Sequence, residues 1–256
     1  MTRIHAVLIG INKYTDPSIP DLSYARQDAS ALRDLLAGSA HASSVVTYPL
    51  LDSAATRANI IDFIGVELPG QSRKDDIVLI YFAGHGSPEI HPGLDRLSRF
   101  LVCHDTTRAG LLSTAIDVRM DLGRLAARFT SRLVLFVLDA CFSGYGGGRG
   151  IAGPRLEERR RLNRPRPRLD ALPLGAGLVF LAACADDEVA WEEPRLGHGL
   201  FSYHLLAELS TPGSTDVIGL PTLYDLIYER VRAQSGGRQN PILWGNVQGA
   251  RLPRLI

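Results

Sequence analysis

The stretch from Leu133 to Leu138 constrains the fold more than any other part of the sequence. It is an unbroken apolar run, rich in β-forming residues and too short to cross a membrane. Such a run is typical of a strand buried on both faces, as in a parallel sheet. Asp139 and Cys141 follow at once. Because open α/β sheets carry their chemistry at the carboxyl ends of strands, Cys141 is either a reactive thiol or a small buried core residue.

A second stretch has the same organisation. The apolar run from Ile77 to Phe82 leads to His85, which lies between Gly84 and Gly86. Neighbouring parallel strands are about 4.8 Å apart, so groups that follow two adjacent strands can meet at one edge of the sheet. A cysteine and a histidine placed there form a pair in which the imidazole is a base toward the thiol and an acid toward the leaving amine. The alternative is that His85 is a turn residue that happens to lie between glycines.

Further apolar runs alternate with stretches of helical periodicity. His5 to Ile11 and Ser44 to Leu50 predict strands, and Thr56 to Leu68 predicts a helix. This β-α-β order predicts parallel strands with right-handed crossovers and helices on both faces. Leu178 to Ala183 predicts another buried strand, and Pro241 to Trp244 predicts a last strand at the sheet edge.

Composition narrows the class of protein. With 256 residues, 45% hydrophobic and 21% charged, the chain is long enough for one large domain with a full core. A net charge of +1 gives no global reason to expect a nucleic-acid or anionic-membrane partner. The three cysteines show neither a disulfide framework nor metal-ligand spacing, and no signal-peptide pattern is found. We therefore expect a cytoplasmic protein with no membrane partner.

Residues 144–174 differ in composition from the rest of the chain. They contain eight arginines and four prolines and few apolar residues. Such a composition buries too little surface to fold, so we expect a flexible linker. An arginine-rich arm that binds nucleic acid is the alternative. We do not expect it, because no aromatic residue lies between the arginines to stack on bases.

The two strand-end motifs together resemble those of the caspase-like cysteine peptidases. Tyr-Phe-Ala-Gly-His-Gly-Ser around His85 and Leu-Asp-Ala-Cys-Phe-Ser-Gly around Cys141, with the histidine 56 residues upstream, are similar to the motifs of metacaspases and bacterial orthocaspases. Animal caspases are less similar, because they carry glutamine where this chain has Asp139. The resemblance extends from His5 to about Asn246.

This resemblance implies a fold and a subunit organisation. The fold is a caspase-like three-layer α/β sandwich, with a six-stranded, mostly parallel sheet and helices on both faces. The chain 1–256 would be a single peptidase domain. A large-subunit-like part (1–143) and a small-subunit-like part (175–256), joined by the linker 144–174, would both contribute strands to the sheet.

The resemblance also implies a catalytic assignment. Cys141 would be the nucleophile and His85 the acid–base, and the backbone N–H groups of Gly86 and Cys141 would receive the developing oxyanion. Many metacaspases need calcium, which binds a cluster of aspartates. Asp117 and Asp121 lie in the matching region, but the dense acidic run is missing. Calcium prefers six to eight oxygen ligands, so we expect no metal and no cofactor.

Charge predicts the substrate class. Asp139 replaces the glutamine of animal caspases, and Asp28 matches the position of a second acid in metacaspases. Two carboxylates in one pocket repel aspartate and pair with arginine or lysine. Asp187 is a further candidate at the pocket rim. The structural alternatives are a favourable helix-dipole interaction for Asp28 and a solvated loop for Asp187.

A peptidase that prefers arginine would carry its own substrate in the linker at high effective concentration. We expect self-processing after Arg160, Arg161 and Arg168. Arg164 and Arg166 precede proline, which constrains the scissile backbone, and should resist.

The leading hypothesis is therefore a cysteine endopeptidase that cleaves proteins or peptides after arginine or lysine. A bacterial stress or defence role rests on family analogy alone. The main alternative is a non-catalytic caspase-like module that binds a partner or signal, against which the retained His85 and Cys141 argue. A third is an unrelated α/β hydrolase. Since no recruitment domain is recognised, a separate sensor or activator protein is an expected partner.

Overall fold

The structure is a computed structural model of the chain. It describes residues 2–39, 44–91, 96–143, 148–151, 177–212, 216–246 and 249–255. Within these ranges, no helix combines the length and the apolarity that a membrane crossing needs.

The secondary structure consists of short and medium-length elements in mixed order. The strands are β1 (Ile4–Gly10), β2 (Val45–Leu51), β3 (Ile77–Ala83), β4 (Gly86–His91), β5 (Arg96–Leu101), β6 (Ile116–Asp117), β7 (Leu133–Asp139), β8 (Leu178–Ala182), β9 (Glu192–Glu193), β10 (His198–Gly199), β11 (Val217–Gly219), β12 (Ile242–Gly245) and β13 (Arg251–Pro253). The α-helices are α1 (Ala25–Gly38), α2 (Arg57–Asp62), α3 (Leu68–Gln71), α4 (Leu111–Thr114), α5 (Met120–Ala126), α6 (Leu200–Leu209) and α7 (Leu220–Gln234). A π-helical turn (Phe63–Glu67) joins α2 to α3, and 3-10 turns lie at Asp52–Ala54 and Arg108–Gly110.

Six strands form the central sheet in the order β12-β8-β7-β3-β1-β2. The pairs β1–β2, β1–β3, β3–β7 and β7–β8 are parallel, and β12 is antiparallel to β8 at the edge. Strands β1, β3 and β7 are buried at every position, as parallel strands covered on both faces should be. The predicted six-stranded, mostly parallel sheet is confirmed. Strands β8 and β12, which follow the linker in the sequence, complete the sheet.

Two apolar clusters cover the two faces of this sheet. Successive side chains of a strand point to opposite faces. Ile4 and Leu8 of β1 therefore pack with α1, α6 and α7, whereas Val7 and Ile9 pack with α2 and α5. Each fully buried aliphatic side chain contributes about 1.5–3 kcal/mol relative to an exposed one, so the sheet is a rigid support for the residues at its edge.

The register of β3 against β7 determines where the catalytic candidates lie. Ala83 is paired with Asp139 at the end of the two strands. The N–H of Gly84 donates to the carbonyl oxygen of Asp139 at 3.3 Å, which extends the contact beyond the last pair. His85 and Cys141 each follow two residues after the paired positions. Both therefore leave the sheet at the same level, at the carboxyl ends of adjacent strands.

Residues 148–151 differ from the flexible linker that composition predicts. Arg149 is fully buried and Ile151 is 2% exposed. Gly150 forms a parallel bridge with Gly86. Burial here depends on ion pairs with distant residues, which a count of local apolar residues does not detect. The three expected cleavage positions, Arg160, Arg161 and Arg168, lie outside the described residues.

Candidate active site

His85 is held by contacts to both its backbone and its ring. Its Nε2 lies 2.7 Å from the carbonyl oxygen of Pro20. Because a carbonyl oxygen only accepts, Nε2 must carry the hydrogen. The backbone N–H of His85 donates to the hydroxyl of Tyr14 at 2.9 Å, and the two ring centroids are 5.1 Å apart. Nδ1 is buried and has no hydrogen-bond partner among the described residues, so it is the nitrogen that can accept a proton.

Burial also determines the charge of this imidazole. It lowers the pKa of His85, and the hydrogen bond to the Pro20 carbonyl offsets only part of the shift. The ring is therefore neutral at neutral pH, as a general base must be. The Pro20 carbonyl fixes its tautomer, a role that the sequence did not reveal.

The sulfur of Cys141 is buried among hydrogen-bonding groups. It lies 3.0 Å from the Ser143 hydroxyl and 3.4 Å from the Ser143 backbone nitrogen. The nearby Cys184 thiol is the main cause that lowers the pKa of Cys141 to about 6, with hydrogen bonds from Ser143 adding to it and burial opposing it. Sγ also lies 3.0 Å from the Glu188 carbonyl, a contact that favours the protonated thiol. The donors outweigh that contact, so Cys141 is mostly a thiolate at neutral pH.

The other two thiols stay protonated. The nearby Cys141 and burial together raise the pKa of Cys184 well above its ordinary value. Burial raises the pKa of Cys103, whose sulfur lies 3.9 Å from the Leu101 carbonyl. Of the three cysteines, Cys141 is the one suited to act as a nucleophile near pH 7.

Two backbone donors converge beside Cys141. The N–H groups of Gly86 and Cys141 donate to the same atom, the carbonyl oxygen of Arg149, at 2.9 and 3.0 Å. A Cβ on Gly86 would lie 2.4 Å from the Cys141 carbonyl oxygen, so a side chain at this position would force the backbone apart. Paired donors on one carbonyl oxygen are the arrangement of an oxyanion hole.

The side chain of Arg149 fills a pocket of three carboxylates. Its guanidinium donates to Asp28, forms an ion pair with Asp139 at 2.8 Å and lies 3.4 Å from Glu192. The side chains of Arg149 and Asp28 are 0% exposed. Burial disfavours the charge, but Asp139 and Asp28 outweigh it and hold the pKa of Arg149 above its ordinary value. The structure thus brings Asp28 and Asp139 together around one arginine.

Neighbouring groups orient Asp139. It accepts a hydrogen bond from the hydroxyl of Ser202, whose Oγ lies 2.6 Å from the hydroxyl of Tyr81. Burial raises the pKa of Asp139 to about 6, although the Arg149 guanidinium lowers it. The carboxylate is therefore mostly ionised at neutral pH, as ion pairing with arginine requires.

Asp28 lies in the first turn of α1, but it does more than complement the helix dipole. Its carboxylate accepts the Gly199 N–H at 3.1 Å and lies 2.5 Å from Nδ1 of His198. Glu192 joins the same helix end, because its oxygens accept the N–H groups of Ser23 and Tyr24 at 2.9 and 2.8 Å. The pocket therefore connects the start of α1 to strands β9 and β10.

Sequence analysis missed Glu192 and Gly199. A Cβ on Gly199 would lie 2.7 Å from Nη2 of Arg149 and 2.8 Å from Oδ2 of Asp139, so this glycine leaves room for the guanidinium. Its position just before α6 indicates a helix start rather than a pocket. The pair Glu192–Glu193 gives no pattern that distinguishes it from a solvated loop.

Asp187 is partly exposed, and the third carboxylate that pairs with Arg149 belongs to Glu192. The preceding Asp186 forms an ion pair with Arg99. That Asp187 lies at the rim of the pocket stays a prediction.

Asp117 and Asp121 lie in the region where calcium-dependent metacaspases carry a cluster of aspartates. Both residues have structural partners within this protein. Oδ1 of Asp117 accepts the N–H groups of Arg119 and Met120, each at 2.8 Å. Asp121 forms an ion pair with Arg57 at 3.2 Å. In the described part of the chain, no group of three or more His, Cys, Asp or Glu residues is arranged to hold a metal ion.

Comparison with known proteins identifies a family and similar folds. The family model described as "Caspase domain", of peptidase family C14, matches residues 3–249. The fold is similar to that of a Geobacter sulfurreducens protein (TM-score 0.69, 19% identity, covering 94% of this chain and 92% of that one). It is also similar to caspase-1 from Spodoptera frugiperda (TM-score 0.55, 17% identity, covering 95% and 86%). None of the curated proteins compared matches the sequence significantly. Because the family model spans nearly the whole sequence, this chain belongs to the caspase domain family of peptidases.

Proposed function

We propose that this protein is a cysteine endopeptidase that cleaves after arginine and, more slowly, after lysine. The observation that carries the proposal is the seating of Arg149, whose guanidinium is buried between Asp28 and Asp139 while its carbonyl oxygen accepts the Cys141 N–H. A substrate residue before a scissile bond needs this combination of a side-chain pocket and an oxyanion hole.

The catalytic cycle follows from the protonation states. The Cys141 thiolate attacks the substrate carbonyl carbon, and the N–H groups of Gly86 and Cys141 bind the oxyanion. Because both groups are deprotonated at neutral pH, Nδ1 of His85 takes up a proton from solvent and delivers it to the leaving amine. A water molecule then attacks the thioester with neutral His85 as base, which releases the acid product and restores the Cys141 thiolate, and His85 returns the proton to solvent.

Preference for arginine over lysine follows from geometry. Asp28 pairs with Nη2 and Asp139 with Nη1, so two nitrogens of a planar fork each find a carboxylate. A lysine ammonium offers one nitrogen and satisfies the two acids less well. An aspartate side chain would be repelled by both.

Four wider proposals follow from the family and from composition. Self-processing in the linker would produce a two-fragment enzyme, and a separate sensor or activator protein would control it. A cytoplasmic location would keep the thiol reduced, and a bacterial stress or defence role rests on family analogy.

Fluorogenic peptides that differ only in the residue before the cleaved bond test the proposal. We expect rates in the order arginine, lysine and then aspartate, with no cleavage of the aspartate peptide and no activity in Cys141→Ala. Cleavage after aspartate at a comparable rate would refute the proposed specificity. Failure to cleave any peptide, with the linker intact or cut, would favour the non-catalytic binding module.

A further inference from the structure

The main chain of residues 148–151 passes through the active site. The N–H of Arg149 donates to the Ala190 carbonyl at 2.9 Å, and its carbonyl oxygen accepts from Gly86 and Cys141. The N–H of Ile151 donates to the Gly86 carbonyl at 3.1 Å. Backbone hydrogen bonds thus hold the chain on both sides of the peptide bond between Arg149 and Gly150.

A buried arginine with a purely structural role would not need these backbone hydrogen bonds. The carboxylates of Asp28, Asp139 and Glu192 would neutralise a structural guanidinium wherever its carbonyl pointed. Here the residue whose side chain fills the acidic pocket is also the residue whose carbonyl oxygen occupies the oxyanion hole. That coincidence is expected of a bound substrate.

Ile151 occupies a pocket of its own. Its side chain packs in an apolar cluster that is separate from the two sheet-covering clusters and is formed by Ile19, Phe100, Val102, Leu111 and Ala115. With only 2% of its surface exposed, Ile151 is as buried as a core residue. Ile151 is the second residue after the Arg149–Gly150 bond, so this pocket lies on the leaving-group side.

The residue before Arg149 is also constrained. Gly148 has a φ of +53°, and a Cβ there would lie 2.3 Å from the Ala190 carbonyl oxygen. A glycine therefore lets the chain approach Ala190 closely enough for the Arg149 N–H to bond to it.

We propose that residues 148–151 are bound as the enzyme's own first substrate, presenting the Arg149–Gly150 bond for cleavage, and that the Ile151 pocket is a subsite that selects an aliphatic residue at the second position after the cut. This inference rests on the proposed peptidase function. It assigns the first cut to a bond that composition does not single out, ahead of the expected positions at Arg160, Arg161 and Arg168.

The reaction consumes one water molecule. The Cys141 sulfur bonds to the Arg149 carbonyl carbon, the bond to the Gly150 nitrogen breaks, and His85 supplies the proton that makes this nitrogen an amine. Water then cleaves the thioester, giving the Arg149 carboxylate and restoring the Cys141 thiolate. The new amino terminus at Gly150 can leave the site with Ile151, which opens it to other substrates.

The uncut chain is therefore closed to external substrates. Cys141 is 0% exposed and His85 is 1% exposed in this state. A peptide cannot reach the thiol while Arg149 occupies both the acidic pocket and the oxyanion hole.

Intact mass and amino-terminal sequencing of the purified full chain test this inference. We expect wild-type protein to yield a fragment ending at Arg149 and a fragment beginning Gly150-Ile151, and Cys141→Ala to stay intact. Gly150→Pro should slow this cut at least a hundredfold, because proline constrains the bond to be broken. Arg232→Ala, which removes an exposed arginine in α7, should be cut at the wild-type rate.

The subsite is tested by paired substitutions. Ile151→Val should be processed within threefold of wild type, whereas Ile151→Asp should be processed at least tenfold more slowly because it places a carboxylate in an apolar pocket. Since Ile151→Asp also alters the uncut chain, processed wild-type enzyme should show the same preference on peptides containing Arg-Gly-Ile and Arg-Gly-Asp. Equal rates on these two peptides would overturn the subsite.

Failure of this inference is distinguishable from failure of the peptidase function. Arg149→Ala leaves the acidic pocket unfilled and should cleave external arginine peptides without prior processing. If it does so while wild type never forms an amino terminus at Gly150, the peptidase function stands and the inference is wrong. If neither processed protein nor Arg149→Ala cleaves any peptide, both are wrong.

Discussion

Arg149 and Asp28 form an ion pair in which neither side chain has any solvent-exposed surface. Buried charges repay their desolvation only when every partner is present, and removal of one partner typically costs about 3–5 kcal/mol. Asp139 and Glu192 supply the further partners of Arg149. Under the proposed function, the same three acids would bind the arginine of a substrate after the segment has left, so their effects can be measured in the cut enzyme.

Asp28→Asn and Asp139→Asn should each weaken cleavage after arginine. Loss of one carboxylate leaves a buried guanidinium partly unpaired, which costs about 2–5 kcal/mol, or roughly 30- to 4,000-fold in kcat/KM. The measurement is kcat/KM on arginine and lysine peptides with processed enzyme. The drop should be larger for arginine, which uses both acids.

Asp62→Asn is the matched control, because it makes the same chemical change at an exposed position at the end of α2. Its kcat/KM should stay within about twofold of wild type, as surface substitutions usually do. Unchanged cleavage after arginine in both pocket variants would eliminate the acidic pocket as the source of specificity.

Gly199→Ala should close the pocket to arginine without removing a charge. The added Cβ would lie 2.7 Å from Nη2 of Arg149, closer than side-chain carbons approach other atoms. Overpacking of this kind costs about 1–3 kcal/mol, so KM for arginine peptides should rise roughly 5- to 150-fold. Gly70→Ala, where a Cβ meets no atom within 4 Å, is the control and should have wild-type kinetics. Wild-type KM in Gly199→Ala would show that substrates do not occupy the position of Arg149.

The sequence predicts His85 and Cys141 as a candidate catalytic pair because strand ends are local features. An apolar run, a glycine and a reactive side chain lie within a few residues of one another at both His85 and Cys141. The parallel register of β3 and β7 then places both residues at the same end of the sheet. Asp28 and Asp139 were found through the family resemblance, since neither lies in a pattern that spacing alone distinguishes.

Arg149 escaped prediction for a physical reason. Its burial depends on acids 121 and 43 residues away in the chain, Asp28 and Glu192, and not on apolar neighbours. The average composition of this arginine-rich segment therefore predicts, wrongly, that Arg149 is exposed to solvent. The effect of Cys184 on Cys141 was missed for a similar reason, since an interaction between two thiols on separate strand ends leaves no trace in sequence spacing.

Cys184→Ala should shift the pH dependence of the enzyme. The Cys184 thiol stabilises the Cys141 thiolate, so its removal raises the pKa of Cys141 from about 6 toward the ordinary value of 9.0. Activity requires the thiolate and rises as pH increases through this pKa. The acid limb of kcat/KM should therefore move to higher pH, with activity at pH 7 falling and activity at high pH retained.

The ultraviolet absorbance of the thiolate measures the pKa of Cys141 directly, because burial keeps Cys103 protonated across this pH range. Cys184→Ser keeps a hydrogen-bond donor, so the acid limb should lie close to its wild-type position. Cys103→Ala should leave the pH profile unchanged. An acid limb that stays at its wild-type position in Cys184→Ala would rule out the Cys184 thiol as the cause of the low pKa of Cys141.

Alkylation of Cys141 should depend on whether the chain has been cut. A thiolate is the reactive form, and a low pKa alone would make Cys141 the fastest of the three cysteines to react. In the uncut chain, however, its side chain has no exposed surface and Arg149 occupies the adjoining pocket. We therefore expect iodoacetamide to label Gly150→Pro, which stays uncut, at least tenfold more slowly at Cys141 than it labels processed wild type. Peptide mapping locates the label, and Cys103, which is buried in this structure, is the internal reference. Equal labelling of Cys141 in the uncut and cut proteins would mean that residues 148–151 leave the site without cleavage, and that closure by this segment does not control the enzyme.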